Sequence, residues 1–223
     1  MAPLRRVIVN ADDLGYDPEI DRGILEAHAR GIVSSATAMV ETPFAPAALA
    51  AAPASLAIGL HAVLDPASGE AAAEASLIRQ LARFLELRGR RPSHLDSHKH
   101  AHAAPGPFAA VVRVALDLRL PVRSVDAAMR AALRAAGLVT ADAFLGDAGR
   151  RPAWTEAGLL EALAGVGEGT TEVMVHPGYR PSRVQTSFGV EREEELAALV
   201  SPKVRELVRS MGLHLGSYRD VAR

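Results

Sequence analysis

The chain has 223 residues, and 26 acidic against 25 basic side chains leave a formal net charge of −1. That balance excludes the electrostatic footprint of a nucleic-acid binder or of a protein held on anionic lipid. The absence of cysteine excludes disulfides, zinc–thiolate sites, iron–sulfur clusters and a cysteine nucleophile.

Apolar residues make up 49% of the chain, enough for a sizeable core, and the length fits one α/β barrel domain over residues 1–223. The apolar run at 7–10 is too short for a signal peptide, and charge follows at once at Asp12 and Asp13. No window approaches the roughly 20 apolar residues that cross a bilayer. The expectation is a soluble, cytoplasmic protein with no membrane span.

In chain order, residues 7–10 (Val-Ile-Val-Asn) are predicted as a short buried strand. Asp17 before Pro18 predicts a helix start, with the aspartate as cap and the proline at the first helical position. Ile20, Ile24, Leu25 and His28 recur at helical spacing as far as Gly31. Residues 32–40 read as a second strand, 46–52 as a short helix, and 56–64 as a third strand with His61 near its end. Leu77, Ile78, Leu81, Phe84, Leu85 and Leu87 predict a strongly amphipathic helix over 77–87, stopped at Arg88-Gly-Arg-Arg-Pro92. A fourth strand is expected over 94–98, a helix over 108–118, a strand over 122–125, a helix over 127–136 and a strand over 143–145. Residues 159–166 read as a helix, 172–176 as a strand, 190–211 as the last helices and 213–218 as a closing strand. The βα alternation favours a parallel α/β sheet or barrel. An open doubly wound sheet is the rival, but neither a Gly-x-Gly-x-x-Gly nor a Walker A loop is present.

The residues with chemistry fall at the carboxyl ends of these strands. Asp12 and Asp13 end the first, His61 the third, His98 the fourth and His176 a late one. In a parallel barrel those ends form one face, so residues far apart in sequence converge there. Adjacent carboxylates on a strand point oppositely, but a strand-to-loop junction can turn both into one cleft. There they repel unless a cation lies between them or one is protonated. The plainer alternative is a solvated loop with helix-capping acids.

The segment Ser93-His-Leu-Asp-Ser-His-Lys-His-Ala-His102 places His94, Asp96, His98, His100 and His102 at every second position. If extended, all five would share one face. Imidazole and carboxylate suit a borderline divalent ion, but five groups cannot bind one ion. Some must orient ligands, touch substrate or belong to ordinary loop. His61 and His176 read alone as satisfied core histidines or as site residues. His28 and His214 receive no role.

Taken together, Val9-Asn10-Ala-Asp-Asp-Leu-Gly15, Gly31-Ile-Val-Ser-Ser-Ala-Thr37, Ala57-Ile-Gly-Leu-His61, His94-Leu-Asp-Ser-His98 and Glu172-Val-Met-Val-His-Pro177 resemble the YdjC-like carbohydrate deacetylases. That family includes chitooligosaccharide deacetylases and a hopanoid-biosynthesis-associated branch. The resemblance runs through nearly the whole chain, as far as Gly216-Ser-Tyr-Arg-Asp220. It implies an irregular (β/α)7-8 TIM-like barrel of the glycoside hydrolase/deacetylase type. It also implies metal-dependent removal of an N-acetyl group from an amino sugar or small glycoconjugate.

On that resemblance Asp13, His61 and His98 are the ligands of one divalent ion, zinc or magnesium. Asp12 is the catalytic base and His176 the general acid, acting as imidazolium. Asp96, His94 and His100 are left for the second shell or for substrate. The expected partner is an N-acetylated sugar, with a homodimer as the candidate assembly. The connection after His61 is shorter than chitooligosaccharide deacetylases often have, and aromatics are few, which favours a short or non-chitin substrate. Two rival functions remain: a barrel lyase or aldolase using Lys99 as a Schiff-base amine, and a non-catalytic sugar- or metal-binding protein on the same fold.

Overall fold

The computed structural model describes residues 4–146 and 154–221. Seven strands form one parallel sheet: β1 (Arg5–Leu14), β2 (Ser35–Ala38), β3 (Ala57–Ala62), β4 (Leu95–Ser97), β5 (Ala143–Leu145), β6 (Gly169–Val175) and β7 (His214–Leu215). Their spatial order is β4-β3-β2-β1-β6-β5, with β7 also on β1. One edge of β1 is shared: β7 pairs with Arg6 and Val7, whereas β2 pairs from Asn10 onward. The other edge is matched to β6 from Arg5 to Ala11. Helices cover the sheet: α1 (Pro18–Arg30), α2 (Ala45–Ala51), α3 (Glu70–Arg88), α4 (Pro105–Leu118), α5 (Ala127–Ala135), α6 (Glu156–Ala164), α7 (Glu191–Leu199), α8 (Pro202–Ser210) and α9 (Tyr218–Val221).

Central parallel strands are buried on both faces, so they read as continuous apolar runs. Val7, Ile8 and Val9 are fully buried in this way. The sheet curls into a half-barrel. Beyond β4, Leu95 bridges to Val122, and the Val122 amide donates to the Val139 carbonyl at 3.0 Å. Predicted strand 122–125 is therefore only an isolated bridge, and predicted strand 213–218 shortens to two residues lying on β1 rather than closing a ring. The segment 32–40 is strand only at Ser35–Ala38.

The cap expected at Asp17 is present: its carboxylate accepts from the Glu19 amide at 2.9 Å, with Pro18 in the first turn. The amphipathic helix expected over 77–87 starts seven residues earlier, at Glu70, and Ile78 and Leu85 point to solvent. They do not join Leu77 and Phe84 in the core.

The largest departure lies after β4. The strand ends at Ser97, and His98–Ala103 form a 3-10 turn in which Lys99 and His100 both have φ of 53°. The alternation that would have put His94 through His102 on one face is broken there. Two successive left-handed residues other than glycine cost about 1–2 kcal/mol each. The turn is held by the Ser97 hydroxyl, which accepts from the His102 amide at 2.8 Å and meets His102 Nδ1 at 2.6 Å.

Candidate functional site

The Asp12-Asp13 pair occupies a bulge. The register of β1 against β2 shifts between Ala11 and Leu14, and Asp13 takes φ of 72°. A bulge re-aims a side chain that the pleat would send the other way. Here it turns both carboxylates toward the carboxyl ends of the neighbouring strands. Both are buried.

Asp13 Oδ1 lies 3.3 Å from His61 Nε2, on β3, and 3.2 Å from His98 Nδ1, at the start of the 3-10 turn. One ligand atom from each of the three residues fits within 4.8 Å of the others. Behind His61, Asp96 Oδ1 sits 2.8 Å from Nδ1. A carboxylate on the far nitrogen fixes the tautomer and leaves Nε2 free to bind a metal. Asp13 Oδ2 is held by Arg192 of α7 at 2.5 Å.

A second group, Asp12, His61 and Asp96, satisfies the same distance criterion, but the chain already supplies its cation. Arg123, fully buried, donates to both oxygens of Asp12 at 2.7 Å, meets Asp96 at 2.8 Å and donates to Glu172 at 2.8 Å. The Tyr218 hydroxyl also donates to Glu172. Asn10 donates to Asp12 Oδ1 at 2.9 Å, and Thr37 bonds Asp96 at 3.0 Å.

The electrostatics follow. Burial pushes the Asp12 carboxyl up, but Arg123, with His61 and His176, outweighs it and holds the group well below the usual carboxylate range. Burial likewise opposes ionisation of Asp13, and Arg192, His61 and His98 overcome it. Burial lowers His61, yet Asp96 and Asp12 together raise it to about 10. The ring responds to carboxylates on both of its nitrogens, Asp96 at Nδ1 and Asp13 at Nε2. One carboxylate and two imidazole nitrogens, with a locked tautomer on one ring, are a donor set that fits a divalent ion.

His176 follows β6 and lies 4.0 Å from Asp12 Oδ2 through Nε2. Its place depends on a close backbone approach: a Cβ on Gly23 of α1 would sit 2.4 Å from the Cα of Gly178. Burial lowers the imidazole to about 4 against the pull of Asp12 and Asp13, with Arg192 adding to the decrease. The resting ring is therefore neutral. Glu195 of α7 accepts from the His176 amide at 2.5 Å, and burial raises this carboxyl to about 8.

The remaining candidates separate. Asp96 orients His61, as described. His100 is partly buried, edge-on to Phe144 and His102. His94 is fully buried at the other end of β4, stacked on Tyr218 at 4.1 Å and pressed against Gly59, where a Cβ would come within 2.5 Å of the ring. Its contacts are core contacts. Lys99 is exposed on the turn, without the desolvated pocket that activates an amine nucleophile.

Sequence reasoning missed Arg123, Arg192, Glu172 and Glu195. Arg123 and Glu172 sit in runs already read as strands, where a charged residue amid β-branched neighbours is the available signal.

A single carboxylate ties two loops at the rim. Asp17 Oδ2 accepts from the amides of Ser182, Arg183 and Val184 at 3.2, 2.7 and 3.2 Å. No helix among the described residues is long and apolar enough to cross a membrane.

Comparison with known proteins identifies the family. The family model described as YdjC-like protein matches residues 6–71 and 65–210, its two segments meeting in the loop between β3 and α3. A carbohydrate deacetylase of Geobacillus stearothermophilus is 35% identical, with 97% of this chain and 98% of the relative covered. A chitooligosaccharide deacetylase of Serratia marcescens is 34% identical over 96% of this chain and 98% of the relative. Among solved structures, a candidate cellobiose-phosphate cleavage protein of Enterococcus faecalis superposes with a TM-score of 0.89 at 27% identity, covering 99% of this chain and 100% of the other. A family 4 carbohydrate esterase of Streptomyces lividans, at 15% identity and a TM-score of 0.53 over 99% and 97% of the two chains, shares the fold alone. With matches along nearly its whole length, the chain belongs to the YdjC-like protein family.

Proposed function

We propose that this chain is a metal-dependent deacetylase that hydrolyses the N-acetyl group of an amino sugar or small glycoconjugate. The observation that carries this reading is the meeting of Asp13, His61 and His98 beside an ionised, clamped Asp12 and 4.0 Å from His176. The names of the curated relatives supply the substrate class. Asp13, His61 and His98 would hold one divalent ion; two imidazoles favour zinc, cobalt or nickel over magnesium. The chemistry such an ion supplies is Lewis acidity toward an amide carbonyl and toward water.

The chain's own groups handle the protons. Arg123 fixes Asp12 by a two-pronged contact, so its carboxylate is ionised and aimed at a water on one side of the amide. Asp12 takes the proton of that water as it attacks. The carboxyl is a weak base and does not keep the proton, and His176 Nε2 is the nearest imidazole to receive it. His176 retains it no better at neutral pH and passes it to the departing amine, which is far more basic than either. The C–N bond breaks as the nitrogen is protonated, giving acetate and the free amine. Burial of Asp12 keeps bulk water from the first acceptor, while His176 keeps 19% of its side chain exposed.

The short link between β3 and α3 favours a short substrate over an extended chitin groove. The proposal takes the chain as one domain acting in the cytoplasm, on a barrel counted as (β/α)7-8. The test is acetate release from N-acetylglucosamine, from short chitooligosaccharides and from an activated acetyl ester, before and after chelation. His176→Ala should lose amide hydrolysis by about 10²-fold or more while keeping much of its ester hydrolysis, because a good leaving group needs no proton. Equal losses on both substrates would make His176 a positioning group. Acetate release indifferent to chelators would remove the metal.

A further inference from the structure

The imidazole of His176 lacks the hydrogen bonds that usually orient a working histidine. Among the described residues its Nδ1 is buried without a partner, and Nε2 stands 4.0 Å from Asp12. The direction of the ring therefore rests on packing. Phe188 supplies a ring against it, with centroids 5.1 Å apart. Phe188 lies near the end of the segment 177–190, which runs from β6 to α7. What seats that segment thus bears on where Nε2 points.

The seat is α1. At the start of the segment Gly178 packs against Gly23, and the Tyr179 amide donates to the Glu19 carbonyl at 3.1 Å. The Tyr179 hydroxyl donates to Glu26, and Arg22 covers its ring at 3.4 Å. The middle depends on Asp17. This fully buried carboxylate divides its oxygens between two tasks. Oδ1 accepts from the Glu19 amide and closes the first turn of α1, whereas Oδ2 gathers the amides of Ser182, Arg183 and Val184. Successive N–H groups converging on one point form a cradle for an anion, and here the chain supplies the anion itself. Phe188 stands four residues beyond that clasp. Its amide donates to the Thr186 hydroxyl at 3.2 Å, and its carbonyl accepts from Arg192 Nε at 2.9 Å. The ring is thus placed from one side by Arg192 and from the other by Asp17.

We propose that Asp17 is a positioning residue: by clasping the amides of 182–184 it seats Phe188 against His176 and so aims Nε2 at the leaving nitrogen. The proposal rests on the deacetylase reading given above. Small errors of aim at a proton donor cost rate without costing substrate affinity.

Asp17 also caps a helix, so the test must separate the two tasks. Asp17→Ser does so, because serine is as good a cap but has no second oxygen for the loop. In the full chain, this variant should keep its circular dichroism spectrum and its bound metal. Hydrogen exchange followed by mass spectrometry should show the amides of 182–184 exchanging at least about tenfold faster than in the wild type. Its kcat for acetate release from the N-acetyl sugar should fall about tenfold, with KM and hydrolysis of an activated acetyl ester within about twofold of wild type. Phe188→Ala should give the same amide-selective loss with the 182–184 amides still protected, which tests the second link whatever the fate of Asp17→Ser. Unaltered exchange in Asp17→Ser, equal losses on amide and ester in either variant, or wild-type rates in Phe188→Ala would overturn the proposal. Exchange reads the clasp without turnover. A wild type that releases no acetate from any substrate would therefore overturn the deacetylase reading, and the clasp would stand or fall on exchange alone.

Discussion

Two neighbouring charge clusters at the carboxyl ends of the strands are balanced in opposite ways. Asp12, Asp96 and Glu172 converge on Arg123, so the chain carries their cation with it. Asp13 offers Oδ1 to two imidazoles, and the guanidinium it meets among the described residues, Arg192, is on the other oxygen. The first cluster carries its counter-charge as folded; the second is the trio that, on the proposed reading, a divalent cation would complete. Two adjacent aspartates therefore take different tasks because of what the rest of the chain brings to each.

The largest effect is expected from breaking the second cluster. Asp13→Asn removes the trio's only carboxylate, and both bound metal, measured by elemental analysis, and acetate release should fall to background. A full complement of metal in that variant would place the ion elsewhere. Breaking the first cluster should act on rate alone: Asp12→Asn keeps its shape and its metal but cannot accept a proton, so turnover should drop about 10²–10⁴-fold. Wild-type turnover would take Asp12 out of the proton path.

Asp96 belongs to both clusters, which makes it the sharper probe. Asp96→Asn should weaken metal binding about 10–100-fold by freeing the tautomer of His61. Competition with a chromogenic chelator measures that loss, and an unchanged affinity would confine Asp96 to the Arg123 cluster.

The smallest effect on catalysis, and a clear one on stability, is expected at Glu195. Its carboxyl rises from the ordinary 4.5 to about 8, chiefly through burial. The folded state thus binds this proton more tightly than the unfolded chain. The resulting stability is full below about pH 4.5 and is lost as pH rises through about 8. Glu195→Gln should flatten that part of the profile, read as urea midpoints at pH 5 and pH 8; an unaltered slope would assign it to other groups.

Much of the second cluster was legible in the sequence. Asp13, His61 and His98 end strands whose apolar runs are short and well bounded, and parallel strands bring their ends to one face. The first cluster was not legible beyond Asp12. Arg123 is one arginine in an arginine-rich chain, and its place in a predicted strand hints at burial without naming the carboxylates that tertiary contacts bring to it. The turn after Ser97 was hidden for a related reason. Lys99 and His100 have no intrinsic preference for the left-handed region, so no residue type announces the break, and the histidine alternation invites an extended reading. On α3 the apolar residues were identified correctly, but a count does not say which face each one takes.

The contact between Arg192 and Asp13 joins residues 179 positions apart. During synthesis at about 5–20 residues per second, Asp13 leaves the ribosome roughly ten to thirty seconds before its partner has been made. The central strand is in the same position, since most of its length waits for β6. A nascent chain therefore carries Asp13 without this guanidinium until α7 has been made, whereas Asp12 can already meet Arg123. A ribosome stalled before α7 would hold a chain with every member of the Arg123 cluster made and Asp13 without its guanidinium.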